Sequence, residues 1–255
     1  MIYIVLGMHK SGTTLLAKTL HRSGIRMVEQ ESGESYYEGN KFERKETSLL
    51  IQTAFGQNEA SYLLPSLGAD LLEELKSDFN KLMCKKEETG VDWGFKDPRF
   101  TLLYQKIFDD PSAVPHKLIC IYREIGQVVG HYLRYQYNFL HKVGIMPKVL
   151  SSWCVYNETL CSILENGSVD SLLLKFEEIR HDSEYFKMNR VLDSHHLVDC
   201  RTEVTRKFQG TPPISSMVFD WIENFFLIIY KIRIQQICDR LEALRYGTKM
   251  PDVFR

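Results

Sequence analysis

The chain has 255 residues, enough to enclose one sizeable core, and is read as a single domain over 1–255. Its 32 Lys and Arg stand against 33 Asp and Glu, so no global field draws it to nucleic acid or to an acidic membrane, and any basic site must be local. The six cysteines show no C-x-x-C spacing, which argues against a zinc or disulfide framework and for free thiols in a reducing compartment. The sequence opens directly into an apolar run, read here as a start without a signal peptide. Its most apolar stretch, Phe225 to Tyr230, stops at Lys231, far short of a membrane span. A cytoplasmic protein with no transmembrane segment is expected.

Ile2 to Leu6 is a short β-rich run, and Thr13 to Ser23 carries apolar residues at 15, 16 and 20 before Gly24, which predicts strand, loop and helix. Ile25 to Val28 predicts a second strand, followed by an acidic loop from Glu29 to Asn40. Phe42 to Phe55 has a weak helical pattern, whereas Leu67 to Met83 places Leu67, Leu71, Leu72, Leu75, Phe79 and Leu82 on one face. "VDWGFKDPR" predicts a strand ending in a turn, because Pro98 disfavours helix at Asp97. "KLICIY" (117–122) reads as a central parallel strand. Helices are predicted over Gln127 to His141 and Val149 to Asn166, then a strand over "VDSLLLKF", an irregular basic segment over 195–215 and a long helix from Ser216 to Leu244. Strands alternating with helices predict an α/β fold, a mostly parallel sheet flanked by helices in the manner of P-loop NTPases. Its ligand is expected at the carboxyl ends of the strands.

In "GMHKSGTT", Gly7 and Gly12 have the G-x-x-x-x-G spacing of a phosphate-binding loop, but Thr13 and Thr14 follow where a kinase would carry Lys and Ser or Thr. The case for an anion survives that change. Backbone amides around Ser11 to Thr14 and the start of the next helix are donors, and three hydroxyls and Lys10 add to them. The bland alternative is a glycine turn that packs a helix on a strand.

"GMHKSGTTLL" resembles the 5′-phosphosulfate loop of sulfotransferases that use 3′-phosphoadenosine 5′-phosphosulfate (PAPS). Cytosolic members show P-K-S-G-T-T-W there, and bacterial and carbohydrate-type members G-x-x-[RK]-S-G-T-[ST]-L. "YYEGNKF" (36–42) resembles the family's Y-W-E segment, "WGFKDPRF" (93–100) its W-G-x-K-D-P segment, and "KLICIYREIGQVVGHYLR" (117–134) the strand and helix that hold the 3′-phosphate. "WCVYNETL" and "LLLKFEEI" resemble the later W-x-x-Y-N helix and the strand ending in Y-E-D-L. There are departures: His131 stands where a serine is usual, Glu124 and Ile125 replace Asp-Pro, and Phe176 replaces a tyrosine.

The resemblance implies sulfonate transfer from PAPS to a hydroxyl or amine, with no metal required where the protein supplies cations. His9, Lys10, Ser11, Gly12, Thr13, Thr14, Arg123 and His131 would bind the donor. Lys10 would stabilise the leaving phosphate, Glu38 would act as general base and Lys96 would touch the sulfonate. Each has a plainer alternative. Lys10 is a solvated turn lysine, Glu38 competes with Glu34 and Glu43, and Lys96 pairs with Asp97 or another carboxylate. Arg123 pairs with Glu124 or Gln127, and His131 is an ordinary surface histidine. Arg201, Arg206 and Lys207 either close over the donor as a lid or are solvated. The acceptor class stays open among a small molecule, a glycan and a glycolipid precursor. The rival functions are an ATP-dependent P-loop kinase and a sulfotransferase-like module that binds without turnover.

Overall fold

The computed structural model describes residues 1–29, 42–55, 69–108, 114–134, 139–192, 195–202 and 217–247. Among them a four-stranded, all-parallel sheet runs in the order β2-β1-β3-β4, with β1 Ile2–Leu6, β2 Trp93–Lys96, β3 His116–Tyr122 and β4 Ser171–Lys175. Val5 lies opposite Lys96 on one side and Ile119 on the other, which sets the carboxyl ends of β1, β2 and β3 side by side. The helices are α1 Thr13–Arg22, α2 Lys45–Phe55, α3 Ala69–Glu87, α4 Tyr104–Ile107, α5 Ile125–Arg134, α6 Phe139–Glu165, α7 Asp182–Tyr185 and α8 Met217–Tyr246. Among the described residues, no helix is long and apolar enough to cross a membrane.

Strand residues are buried on both faces, as a parallel sheet covered by helices requires. Tyr3, Val5, Ile119, Ile121, Leu172 and Leu174 pack against α1 and the chain from Ile179 to Cys200. Ile2, Ile4, Leu6, Leu118, Cys120 and Leu173 pack against α3, α5, α6 and α8. Each fully buried Leu, Ile or Val contributes about 1.5–3 kcal/mol, so two such layers secure the sheet and leave its carboxyl edge free for polar groups.

Two elements depart from expectation. Residues 25–28 make a single bridge, Arg26 to Trp93, rather than a strand. The Arg44 guanidinium takes the carbonyls of Arg26 and Gly94 and lies over the Trp93 ring, so a side chain occupies the edge along which a ladder would have continued. The second predicted helix of the 127–166 stretch starts ten residues early, and Pro147 sits inside it. Burial of Ile145, Met146, Val149, Leu150 and Trp153 outweighs the hydrogen bond that proline removes.

From β1 the chain crosses to β2 on one side, whereas β3 lies on the other side of β1 and leads on to β4. The connections therefore diverge between β1 and β3, which opens a crevice at their carboxyl ends. Gly7 follows one of these strands and Arg123 the other.

Candidate functional site

The loop after β1 is built by close approach. Gly7 has φ 148°, and a Cβ on it would lie 2.4 Å from the Ile121 carbonyl oxygen. Gly12 has φ 99°, and a Cβ there would lie 2.3 Å from the Phe176 ring. Only glycine satisfies both the conformation and the space at these two positions. Thr101 fixes the start of the loop: its Oγ1 accepts from Gly7 N–H at 2.9 Å. Lys10 is one of two non-glycine residues with positive φ among the described residues, at 67°; the other is Phe42, at 61°. Both are next to groups considered below, as strained backbone at functional sites often is.

Helix α1 begins at Thr13 with Gly12 as its N-cap. No side chain caps it, and its first turn has no acidic residue. Its first amides have no intrahelical acceptor, and the helix dipole adds partial positive charge there. Ser11 is fully buried and its Oγ has no hydrogen-bond partner among the described residues. The His9 Nδ1 and the Tyr156 hydroxyl are likewise sealed and unpartnered, with the two rings edge-on at 6.2 Å. A buried polar atom without a partner costs about 1–3 kcal/mol. Three of them around one loop fit a ligand rich in acceptor oxygens. Burial drives the His9 pKa down to about 3, with Lys96, Arg99 and Lys10 acting in the same direction against Asp97, so the imidazole is neutral.

Arg123 leaves the end of β3 and donates to the Lys10 carbonyl at 3.1 Å, which joins the two sides of the crevice. Its guanidinium lies 4.2 Å above the Phe176 ring and 3.7 Å from Glu177. Glu177 is thus its carboxylate neighbour, whereas Glu124 pairs with Lys175 at 3.4 Å. Trp153 donates to the Arg123 carbonyl at 2.9 Å, and Asn157 to the Trp153 carbonyl at 2.7 Å. The W-x-x-Y-N stretch of α6 therefore underlies both sides, with Trp153 beneath Arg123 and Tyr156 beneath His9.

Lys96 ends β2 and is 2% exposed. Its Nζ lies 2.5 Å from the Glu43 Oε1, and Glu43 is itself only 7% exposed. Asp97 is taken by Arg99 instead, through the backbone N–H at 3.0 Å and a two-pronged side-chain pair. The Lys96–Asp97 alternative is thereby corrected in favour of Glu43, 53 residues away. Burial pushes the Glu43 carboxyl above the usual carboxylate range, Lys96 opposes this and Asp97 reinforces it.

The structure gathers His9, Lys10, Ser11, Gly12, Thr13 and Arg123 around the crevice, with Thr14 exposed on the first turn of α1 and Lys96 on the adjacent strand. His131 lies six residues into α5, roughly 9 Å along its axis, half-buried with its ring edge-on to Tyr132. Glu38, Glu34, Tyr36, Tyr37, Arg206 and Lys207 lie outside the described residues. Arg201, weighed above between a lid and a solvated loop, is bound to Asp199, Asp182 and the carbonyls of Ile179 and Arg180. Thr101 gave no sequence signal. Glu43 appeared only as one carboxylate among several, because a partner so far along the chain leaves no local periodicity.

No protein-family model matches the chain. No curated protein matches it. Among solved structures it is similar to the sulfotransferase domain from the Synechococcus PCC 7002 olefin synthase, at 15% identity and TM-score 0.49, over 98% of this chain and 95% of that one.

Proposed function

We propose that the protein transfers a sulfonate group from PAPS to a hydroxyl or amine acceptor, by in-line displacement at the crevice between β1 and β3. One observation carries this reading. A buried Ser11 hydroxyl, unpartnered among the described residues, sits at a helix start with no side-chain cap and no carboxylate in its first turn, and Lys10, Lys96, Arg99 and Arg123 stand around it. The motif resemblance supplies the identity of the anion. PAPS brings an activated sulfonate on a 5′-phosphate and a 3′-phosphate that marks the nucleotide.

In this reading, the amides of Gly12 to Thr14 and the hydroxyls of Ser11, Thr13 and Thr14 hold the 5′-phosphosulfate, the Ser11 amide being taken by the Met8 carbonyl at 3.2 Å, with neutral His9 as a further hydrogen-bonding group. Lys10 offsets charge growing on the leaving phosphate oxygen, and Lys96 offsets charge on the sulfonate. Arg123 and His131 take the 3′-phosphate. Glu38 is the proposed base that receives the acceptor's proton. The kinase reading is disfavoured by the position of Asp97. The carboxylate that would have to bind magnesium is neutralised by Arg99, and Thr13 stands where the nucleotide lysine would be.

Calorimetric titration with adenosine 3′,5′-bisphosphate, and separately with ATP plus magnesium, tests this. The expected result is bisphosphate binding at about micromolar Kd or tighter, weakened about tenfold or more by Lys10→Ala and by Arg123→Ala, with ATP much weaker. A preference for ATP with magnesium would put the kinase first. Tight bisphosphate binding without transfer to any acceptor would favour the non-catalytic module.

A further inference from the structure

We infer that Glu43 is a proton-accepting partner of Lys96: when the anionic donor or its product occupies the crevice, the Lys96 ammonium turns from Glu43 to the anion, and the Glu43 carboxylate takes a proton from solvent. This inference rests on the donor reading above. It concerns two residues of this chain whose pairing is already on the page.

The geometry carries it. Lys96 and Glu43 form an ion pair at 2.5 Å in which neither side chain has more than 8% of its surface exposed. A buried pair is held by mutual neutralisation, and drawing one partner away leaves the other as an uncompensated charge. Among the described residues, the other groups around Glu43 offer no uncommitted cation: Arg99 acts on it in the same direction as Lys96 but more weakly, and is engaged elsewhere. Asp97, from the end of β2, is anionic, and Arg99, from the turn after it, is committed to Asp97 at 2.5 Å. Arg44, the next residue along, is directed away into Glu29, Glu46 and the carbonyls of Arg26 and Gly94. From the loop after β1, His9 is neutral and Lys10 faces solvent.

An incoming phosphosulfate or bisphosphate adds negative charge beside this pair, and a buried carboxylate next to new anions neutralises by protonation. Burial and Asp97 already push the Glu43 carboxyl above the usual carboxylate range, and added anions push it the same way. The backbone holds it in place: Phe42, directly before it, is buried with φ 61°, a conformation that persists in an aromatic residue only where packing fixes it. The proton moves from buffered solvent to a Glu43 Oε, no covalent bond to the donor forms, and the carboxylate charge that Lys96 balanced is neutralised while Lys96 balances one charge of the incoming anion. Glu43 acts through Lys96 and is a positioning residue, distinct from the base that receives the acceptor's proton.

The test is bisphosphate calorimetry near neutral pH in a series of buffers with different ionisation enthalpies, in which the slope of observed heat against buffer enthalpy counts protons taken up. Phosphate groups with a second pKa near 6 release protons when they meet cations. The readout is therefore the difference between the wild type and Glu43→Gln. The expected difference is about half a proton or more taken up in excess by the wild type. An infrared difference spectrum of the wild type provides a second readout that needs no variant: bisphosphate should bring up the carbonyl stretch of a protonated carboxylic acid. Binding with equal proton counts in both proteins, or binding without that band, overturns the inference and leaves the donor reading standing. Absence of bisphosphate binding would bring down both.

Discussion

Two charged clusters share the carboxyl end of the sheet, and they are satisfied to different degrees. Around Arg245, near the end of α8, both terminal guanidinium nitrogens are bonded: to Glu178 at 2.6 Å, Glu184 at 3.0 Å, Glu242 at 2.9 Å and the Tyr122 hydroxyl at 3.3 Å. Lys175 adds a further tie to Glu242 at 3.2 Å. Around the loop after β1 the balance is reversed. Lys10 is exposed, Ser11 Oγ and His9 Nδ1 are buried without partners among the described residues, and no side chain caps the helix start there. Charge alone does not mark a site. The terminal nitrogens of Arg245 are taken up by carboxylates of this chain and clamp α8 to β3 and β4, with only the buried Nε left over, whereas around the loop it is the outward-serving hydroxyl and ring groups that lack partners among the described residues.

That contrast can be broken most sharply at Arg245. Its side chain has no exposed surface, so Arg245→Ala strands three carboxylates. Stability should fall by about 2–3 kcal/mol, less than the 3–5 typical of a fully buried pair because those carboxylates reach water. Urea unfolding measures this, and the bisphosphate Kd should stay within about twofold. If Lys10→Ala, measured alongside, destabilised the fold as much as Arg245→Ala, the distinction between clamp and binding site would be lost.

Per pH unit, a smaller effect follows from His9. Its pKa is about 3 in the folded protein against an ordinary 6.5, so the unfolded chain binds a proton first as pH falls. The stabilisation that comes from keeping the ring neutral is present above pH 6.5 and is lost on acidification towards pH 3, by up to about 1.4 kcal/mol per pH unit. Unfolding midpoints for wild type and His9→Gln between those limits should converge as pH falls. A pH-independent gap between them would show that the ring is not held neutral.

The smallest effect sharpens the comparison from the other side. Lys10 holds a left-handed backbone that glycine adopts without penalty. Lys10→Gly should therefore raise stability by about 1 kcal/mol while lowering bisphosphate affinity at least as much as Lys10→Ala does. Such a trade is what a strained binding residue produces. Loss of stability in Lys10→Gly would mean that its side chain is structural.

The sequence showed the site unevenly. The loop after β1 was legible because two glycines five apart, after a β-rich run, leave few other conformations. Arg123 was legible because it ends a continuous apolar strand. The Glu43–Lys96 pair was not: each residue lies in ordinary local surroundings, and only the crossing of the chain from α2 to β2 brings them together. Residues 25–28 misled for a related reason. Ile25, Met27 and Val28 are buried as strand residues would be, but a guanidinium from Arg44 completes that edge in place of a ladder. The helix predicted from Val149 likewise starts ten residues earlier, with Pro147 held inside it by apolar packing. In each case a long-range contact decided the outcome.

Phe176 has one further consequence. The same ring lies against Gly12 from below and carries the Arg123 guanidinium on its face. The two rims of the crevice thus rest on a single floor tile contributed by the turn that follows β4. A tyrosine at this position would add a hydroxyl and leave the tile in place. An aliphatic side chain would remove the seat of one rim and the stacking surface of the other in the same step. Position 176 is a shared adjustment screw, through which the spacing between the loop after β1 and the Arg123 guanidinium is set by one side chain that itself carries no charge.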